Sequence, residues 1–241
     1  MVRVGRFGFA PKLLPTLAAV SLLALLVSLG NWQVRRAGEK RDIGERFERM
    51  SAAAALALPA RDEVAADGLV FRRVVAEGSF VPEHAIFLDN KVRRGVAGYE
   101  VVMPLIIGPG PMHVLVNRGW IAAGASRAEL PPVETPAQPV RIEGIAVLPP
   151  RRIVELSAQT VEGKVWENLV LDRYRAAHPI RIHPVVLEQH NDLGDGLVRE
   201  WPRPATGAEA HLARALTWYL LAAVAAVYYV VISIRRLDAQ S

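Results

Sequence analysis

Apolar and polar positions divide this chain into three stretches. From Leu13 to Val34 an uncharged apolar run lies between Lys12 and Arg35, and from Ala215 to Ile234 a second lies between Arg214 and Arg235. Each run is about twenty residues; at about 1.5 Å of helical rise per residue, each spans a hydrocarbon layer of roughly 30 Å. The residues between them are polar enough for one soluble domain of ordinary size. The pattern therefore predicts a two-helix transmembrane hairpin, with spans at 13–34 and 215–234, enclosing an extramembrane domain at 35–214. Short tails occupy 1–12 and 235–241.

Inside the domain the period shortens. Arg35 to Leu58 reads as a charged, then alanine-rich helix without proline, continuing the first span. Pro59 to Gly68 reads as a linker. Strand patterns follow at Arg73–Phe80, at Ala85–Leu88 (ended by the turn pair Asp89-Asn90), at Tyr99–Ile107 and at Met112–Ile121. Pro104 argues for an edge or a bulge, and Gly108-Pro109-Gly110-Pro111 makes the last two strands a hairpin. Leu130–Pro139 carries four prolines and reads as extended loop. Val140–Leu148 and Ile180–Leu187 are further strands, Val165–Ala177 holds a short helix, and Asn191–Gly196 is turn-rich. The expected fold is a β-rich α+β domain, an antiparallel sheet or partly closed barrel, with one or two small helices over an end or edge.

Composition narrows the chemistry. Most of the net charge of +5 comes from the tails, because all but five of the 29 basic and all but one of the 24 acidic residues lie between positions 35 and 214. The domain is close to neutral, which speaks against nucleic acid as a partner and for the lipid bilayer. The absence of cysteine excludes disulfides, thiolate metal sites and a cysteine nucleophile. The four methionines are unclustered, which disfavours a Cu(I) carrier.

The first run exceeds a signal-peptide core, and only Ser28-Leu29-Gly30 offers a small-x-small site, so a retained anchor is expected, with Trp32 at its interface. Charge alone does not orient the hairpin: Arg35, Arg36, Lys40 and Arg41 outnumber the tail charges, yet long domains translocate regardless of charge.

Several segments carry a resemblance. Leu29-Gly30-Asn31-Trp32-Gln33-Val34-Arg35 is followed by Lys40, then Gly78-Ser79-Phe80-Val81-Pro82 and Leu88-Asp89-Asn90-Lys91. Gly98-Tyr99-Glu100-Val101-Val102-Met103-Pro104-Leu105 and Val116-Asn117-Arg118-Gly119-Trp120-Ile121 come next, and His211 with Trp218-Tyr219 opens the second span. This ordered set resembles the Surfeit-locus cytochrome c oxidase assembly family, called Shy proteins in yeast, over nearly the whole chain. The resemblance implies a membrane protein of the bacterial cytoplasmic or mitochondrial inner membrane. Both tails would be cytoplasmic or in the matrix, and the domain would face the periplasm or intermembrane space. It implies a non-catalytic factor that assists maturation of oxidase subunit I by helping haem a reach its site. Haem a synthase is a second candidate partner. The chain departs from the family pattern at Glu39 and Arg214, where aromatics are usual, and at Ala122-Ala123, where a proline is usual.

Under that resemblance the candidate cofactor-binding residues are His211, Trp218, Arg118, Arg35 and Trp32. Imidazole is a natural axial ligand of haem iron, and Trp218 shares a helical face with His211 and Ala215, whose small side chain would leave room for a flat ring. The alternative for His211 is an interfacial anchor. Strand alternation puts Arg118 and Trp120 on one face, as a cation–π pair or with Arg118 meeting a haem propionate. Trp32, Gln33, Arg35 and Arg36 either anchor the span in the interface or line the same pocket as His211, Arg35 being a second propionate partner. The competing function is a structural chaperone that stabilises nascent subunit I without cofactor.

Elsewhere the simpler reading prevails. His178 and His183 point to opposite faces of a strand, and Asn191–Gly196 lacks the acid pattern of a calcium loop. Gly124-Ala125-Ser126-Arg127-Ala128 departs from a nucleophile elbow in its last position, and no phosphate loop or HExxH is present, so no catalysis is expected.

Overall fold

The computed structural model describes residues 2–4, 7–9, 11–124, 129–149, 161–204 and 207–236. The chain forms two units, Met1–Glu45 with Arg203–Ser241, and Arg46–Pro202. In order, the elements are β1 (Val2–Val4), β2 (Phe7–Phe9), α1 (Leu13–Ala52), β3 (Leu56–Ala57), α2 (Ala66–Leu69), β4 (Arg73–Phe80), β5 (Ile86–Arg93) and β6 (Val96–Ile107). Then come β7 (Met112–Ala122), β8 (Val140–Val147), β9 (Val161–Glu162), β10 (Val165–Trp166), α3 (Leu171–Ala177), β11 (Arg181–Gln189), α4 (Ala208–Ser233) and β12 (Ile234–Arg236). The Ala125–Ala128 part of the elbow-like segment lies outside the described residues.

The central unit is a β-barrel. Strands β4, β8, β11, β7 and β6 neighbour one another in that order, and β4 pairs back onto β6 to close the ring. All ring pairings are antiparallel except β11 with β7. Closure is made at Gly78, which pairs with Val140 on one side and Ile107 on the other. A Cβ there would sit 1.8 Å from the Ile106 carbonyl oxygen, so only glycine lets β4 reach β6. Closure leaves no free edge within the ring. Alternate residues fill the interior: Val74, Ala76 and Phe80 from β4, Met103, Leu105 and Ile107 from β6, and Val114 and Val116 from β7.

The long strand β6 pairs with β7 along one edge and divides its other edge between β5, on its first part, and β4, on its last. Pro104 stands where the partner changes, a position between ladders that tolerates a missing N–H. Outward residues of β6 and β7, Val102 and Leu115, are covered by Trp166, Leu169 and Tyr174 around α3, so β7 is buried from Met112 to Trp120 and shows no alternation.

Several boundaries differ from the sequence expectation. The helix ends at Ala52 rather than Leu58, because Leu58 is needed in the barrel core. Asp89-Asn90 does not end β5; a register shift between Leu88 and Lys91 absorbs it, with Asn90 at φ +64°. The turn comes later, at Arg94 and Gly95, both at positive φ in a two-residue hairpin loop between Arg93 and Val96.

In the other unit, α1 and α4 are each long and apolar enough to cross a membrane. Their flanking segments pair as a small antiparallel sheet, with β2 between β1 and β12, which the tail composition did not announce.

Candidate functional site

On α1 a stripe of buried or half-buried positions runs through Thr16, Ala19, Leu23, Leu26, Gly30, Gln33 and Ala37 in alternating steps of three and four. On α4 a matching stripe runs through His211, Ala215, Trp218, Ala222, Ala225 and Tyr229. Two such heptad-spaced stripes pack as an antiparallel pair. Polar contacts fix its register: Thr16 Oγ1 to Tyr229 Oη at 2.6 Å, Tyr219 Oη donating to Asn31 Oδ1 at 2.7 Å, and His211 Nδ1 to Gln33 Oε1 at 2.7 Å. Gly30 makes the close approach possible, since a Cβ there would lie 2.5 Å from the Tyr219 ring.

His211 is thus half-buried at one end of the pair, with one ring nitrogen engaged. An amide oxygen only accepts, so the neutral imidazole in this contact carries its proton on Nδ1 and leaves the lone pair on Nε2. Trp218 lies two turns further on the same stripe and is half-buried. Ala215, between them, is 2 % exposed. The space beside it is filled, so its small side chain serves close packing and offers no room for a flat ring. Trp32 and Arg35 are exposed on α1, and Arg36 donates to Glu39 at 2.8 Å while lying 5.9 Å from the centre of the Trp32 ring. Of the α1 candidates, Gln33 alone has a contact to His211 among the described residues.

Arg118 belongs to the barrel unit. A bulge sets Arg118 and Gly119 of β7 against Val101 of β6, Gly119 taking φ +141°. The extra residue resets alternation, so Arg118 faces the interior while Trp120 joins Asn117 and Glu100 on the other face. The expected Arg118–Trp120 pair is therefore corrected: the guanidinium lies 4.6 Å from the centre of the Phe80 ring, and Trp120 Nε1 donates to the Lys91 carbonyl. Arg118 is fully buried and donates to Asp195 Oδ2 (2.8 Å), the Glu134 carbonyl (2.7 Å) and Thr135 Oγ1 (2.9 Å). Its carboxylate partner in this structure is thus the chain's own Asp195, which Arg199 also grips at 2.6 Å. Burial alone would raise the Asp195 carboxyl, but hydrogen bonds from Arg199 and Arg118 hold it below the usual carboxylate range.

The remaining motifs are absorbed by the fold. Asn191 braces β8, accepting from Glu143 N and donating to the Arg141 carbonyl, and Asp192 caps Gly194 N and binds Arg199. His183 is buried, with Nε2 on the Pro59 carbonyl, whereas His178 stacks 4.6 Å from His84. Among the described residues no group of three or more His, Asp or Glu could hold a metal ion. A bare ion needs several protein donors, whereas haem brings four nitrogens of its own and asks for a single imidazole. His211, whose Nε2 has no hydrogen bond among the described residues, fits that requirement.

The SURF1 family profile matches residues 20–223, which takes in the first helix, the barrel and most of the second. The chain belongs to the SURF1 family. Members are known generally as cytochrome c oxidase assembly factors. An uncharacterized SURF1-like protein of Mycobacterium bovis is 34% identical over 86 residues, covering 35% of this chain and 31% of its own. A Surfeit locus protein 1-like protein of Arabidopsis thaliana is 26% identical over 166 residues, 64% of this chain and 40% of that protein. The chain thus spans well under half the length of these relatives.

Proposed function

We propose that this SURF1-family protein acts in the bacterial cytoplasmic membrane, with its barrel on the periplasmic side, and helps haem a reach subunit I of cytochrome c oxidase. The observation that carries this reading is His211, held by Gln33 at one end of the helix pair with no hydrogen bond to its second nitrogen among the described residues. In this role His211 would hold the haem iron from the open end of the helix pair, the exposed Arg35 and Trp32 would meet propionates and the lipid interface, and Trp218 stays in the packed seam of the pair. Arg118 serves the barrel through Asp195. Haem a supplies the redox centre that subunit I needs; the protein contributes binding and release. Delivery requires only that the maturing subunit, presented alone or with haem a synthase, hold the cofactor more tightly than this protein does.

The test is complementation. Membranes lacking this protein are supplied with the wild type or with His211→Ala, and oxidase activity and haem a content of subunit I are measured. The proposal expects His211→Ala to be present at wild-type level yet to leave subunit I deficient in haem a. Full restoration by His211→Ala would replace it with a cofactor-free chaperone.

A further inference from the structure

We infer that Gln33 is a positioning residue that selects the Nδ1–H tautomer of His211 and so presents Nε2 as its coordinating atom. The ligand half of this inference rests on the reading of His211 above; the tautomer half stands on geometry alone.

Free neutral imidazole carries its single proton on either nitrogen, and a metal takes the nitrogen without it. Gln33 Oε1 lies 2.7 Å from His211 Nδ1 and has only lone pairs to offer. In the neutral ring the single proton is therefore held on Nδ1. Second contacts of this kind orient the ring and fix its tautomer in metal-ligating histidines generally.

The surroundings hold Gln33 to that task. Gln33 is 8 % exposed in the seam of the helix pair, beside the apolar part of α1, where an unpaired amide would be costly. One turn away, Gly30 admits the Tyr219 ring and Asn31 accepts from Tyr219 Oη. These contacts fix the axial register of α1 against α4, which keeps Gln33 level with His211. The acceptor is a neutral amide, so it directs the proton without adding a charge to the helix pair.

The test uses the full chain in detergent micelles, labelled with 15N-histidine, with the His211 signals assigned by their loss in His211→Ala. The wild type should show a protonated Nδ1 and an unprotonated Nε2. Gln33→Leu should average the two nitrogens, and Gln33→Glu, read at a pH well above the ordinary imidazole pKa so that its carboxylate faces a neutral ring, should restore the wild-type pattern. A wild-type proton on Nε2, or a Gln33→Leu spectrum identical to wild type, overturns the inference. In a second arm hemin is titrated into the same samples. Gln33→Leu should bind about 10- to 100-fold more weakly, the usual effect of losing such a partner. If the tautomer behaves as stated but His211→Ala binds hemin like wild type, the haem reading falls while the tautomer assignment stands.

Discussion

Replacing Asp195 with alanine removes the carboxylate that two guanidinium groups share inside the barrel unit. The Arg118 side chain is 0% exposed and that of Asp195 2%, so neither charge is screened by water. After the change Arg118 keeps the Glu134 carbonyl, Thr135 and the Phe80 ring, all uncharged, while Arg199 keeps Asp192. Breaking a buried pair from one side costs about 3–5 kcal/mol, because the remaining charge is left uncompensated. For a domain of this size that is a fall of roughly 6–20 °C in Tm. Thermal unfolding of the detergent-solubilised chain, followed by fluorescence of Trp120, Trp166 and Trp201, reads it directly. Adding Arg118→Met should recover about half of the loss or more, since the stranded charge goes and methionine packs beside Phe80. Because the folded Asp195 carboxyl is held low, its contribution is present above about pH 4 and fades as pH falls further. A Tm change below about 3 °C for Asp195→Ala, or a double variant no better than the single one, would refute the reasoning.

Three other outcomes follow from the geometry. Gly78→Ala forces a Cβ against the Ile106 carbonyl, which cannot yield, and should cost about 3 kcal/mol in urea unfolding while opening the β4–β6 seam. Burial, aided by Glu100 and opposed by Arg93, pushes the Glu188 carboxyl up to about 7. A raised carboxyl pKa costs stability as pH climbs from about 4 to 7, so Glu188→Gln should match wild type at pH 4 and exceed it at pH 8 by on the order of 2–3 kcal/mol in urea unfolding. Gly30→Leu should separate α1 from α4 at Tyr219, seen as several-fold faster hydrogen exchange in α4 than in the wild type.

The strands were legible because their signals are local. Arg73–Phe80 alternates, with valine and phenylalanine inward, and the Gly-Pro-Gly-Pro turn announces the β6–β7 hairpin. Barrel closure was not legible, since it depends on Gly78 meeting a strand nearly thirty residues away, and a single glycine in a strand gives no such address. The bulge at Gly119 was equally hidden. Strict alternation joined Arg118 to Trp120, and only the partner strand shows that two residues face one.

The site was half visible. His211 stood out by residue type and place, and its face with Ala215 and Trp218 followed from helical spacing. Its partner Gln33 lies 178 residues away, and the signal that could have found it was the heptad stripe through Leu26, Gly30, Gln33 and Ala37. Charge drew attention instead to Arg35 and Arg118, one exposed and the other consumed by Asp195.

The most direct measurement is the visible spectrum of the full chain purified in detergent from cells with and without haem a synthesis, beside His211→Ala. A haem a band that appears only with synthesis and is lost in His211→Ala is the predicted result. A colourless wild-type protein that still supports oxidase assembly would contradict the central claim.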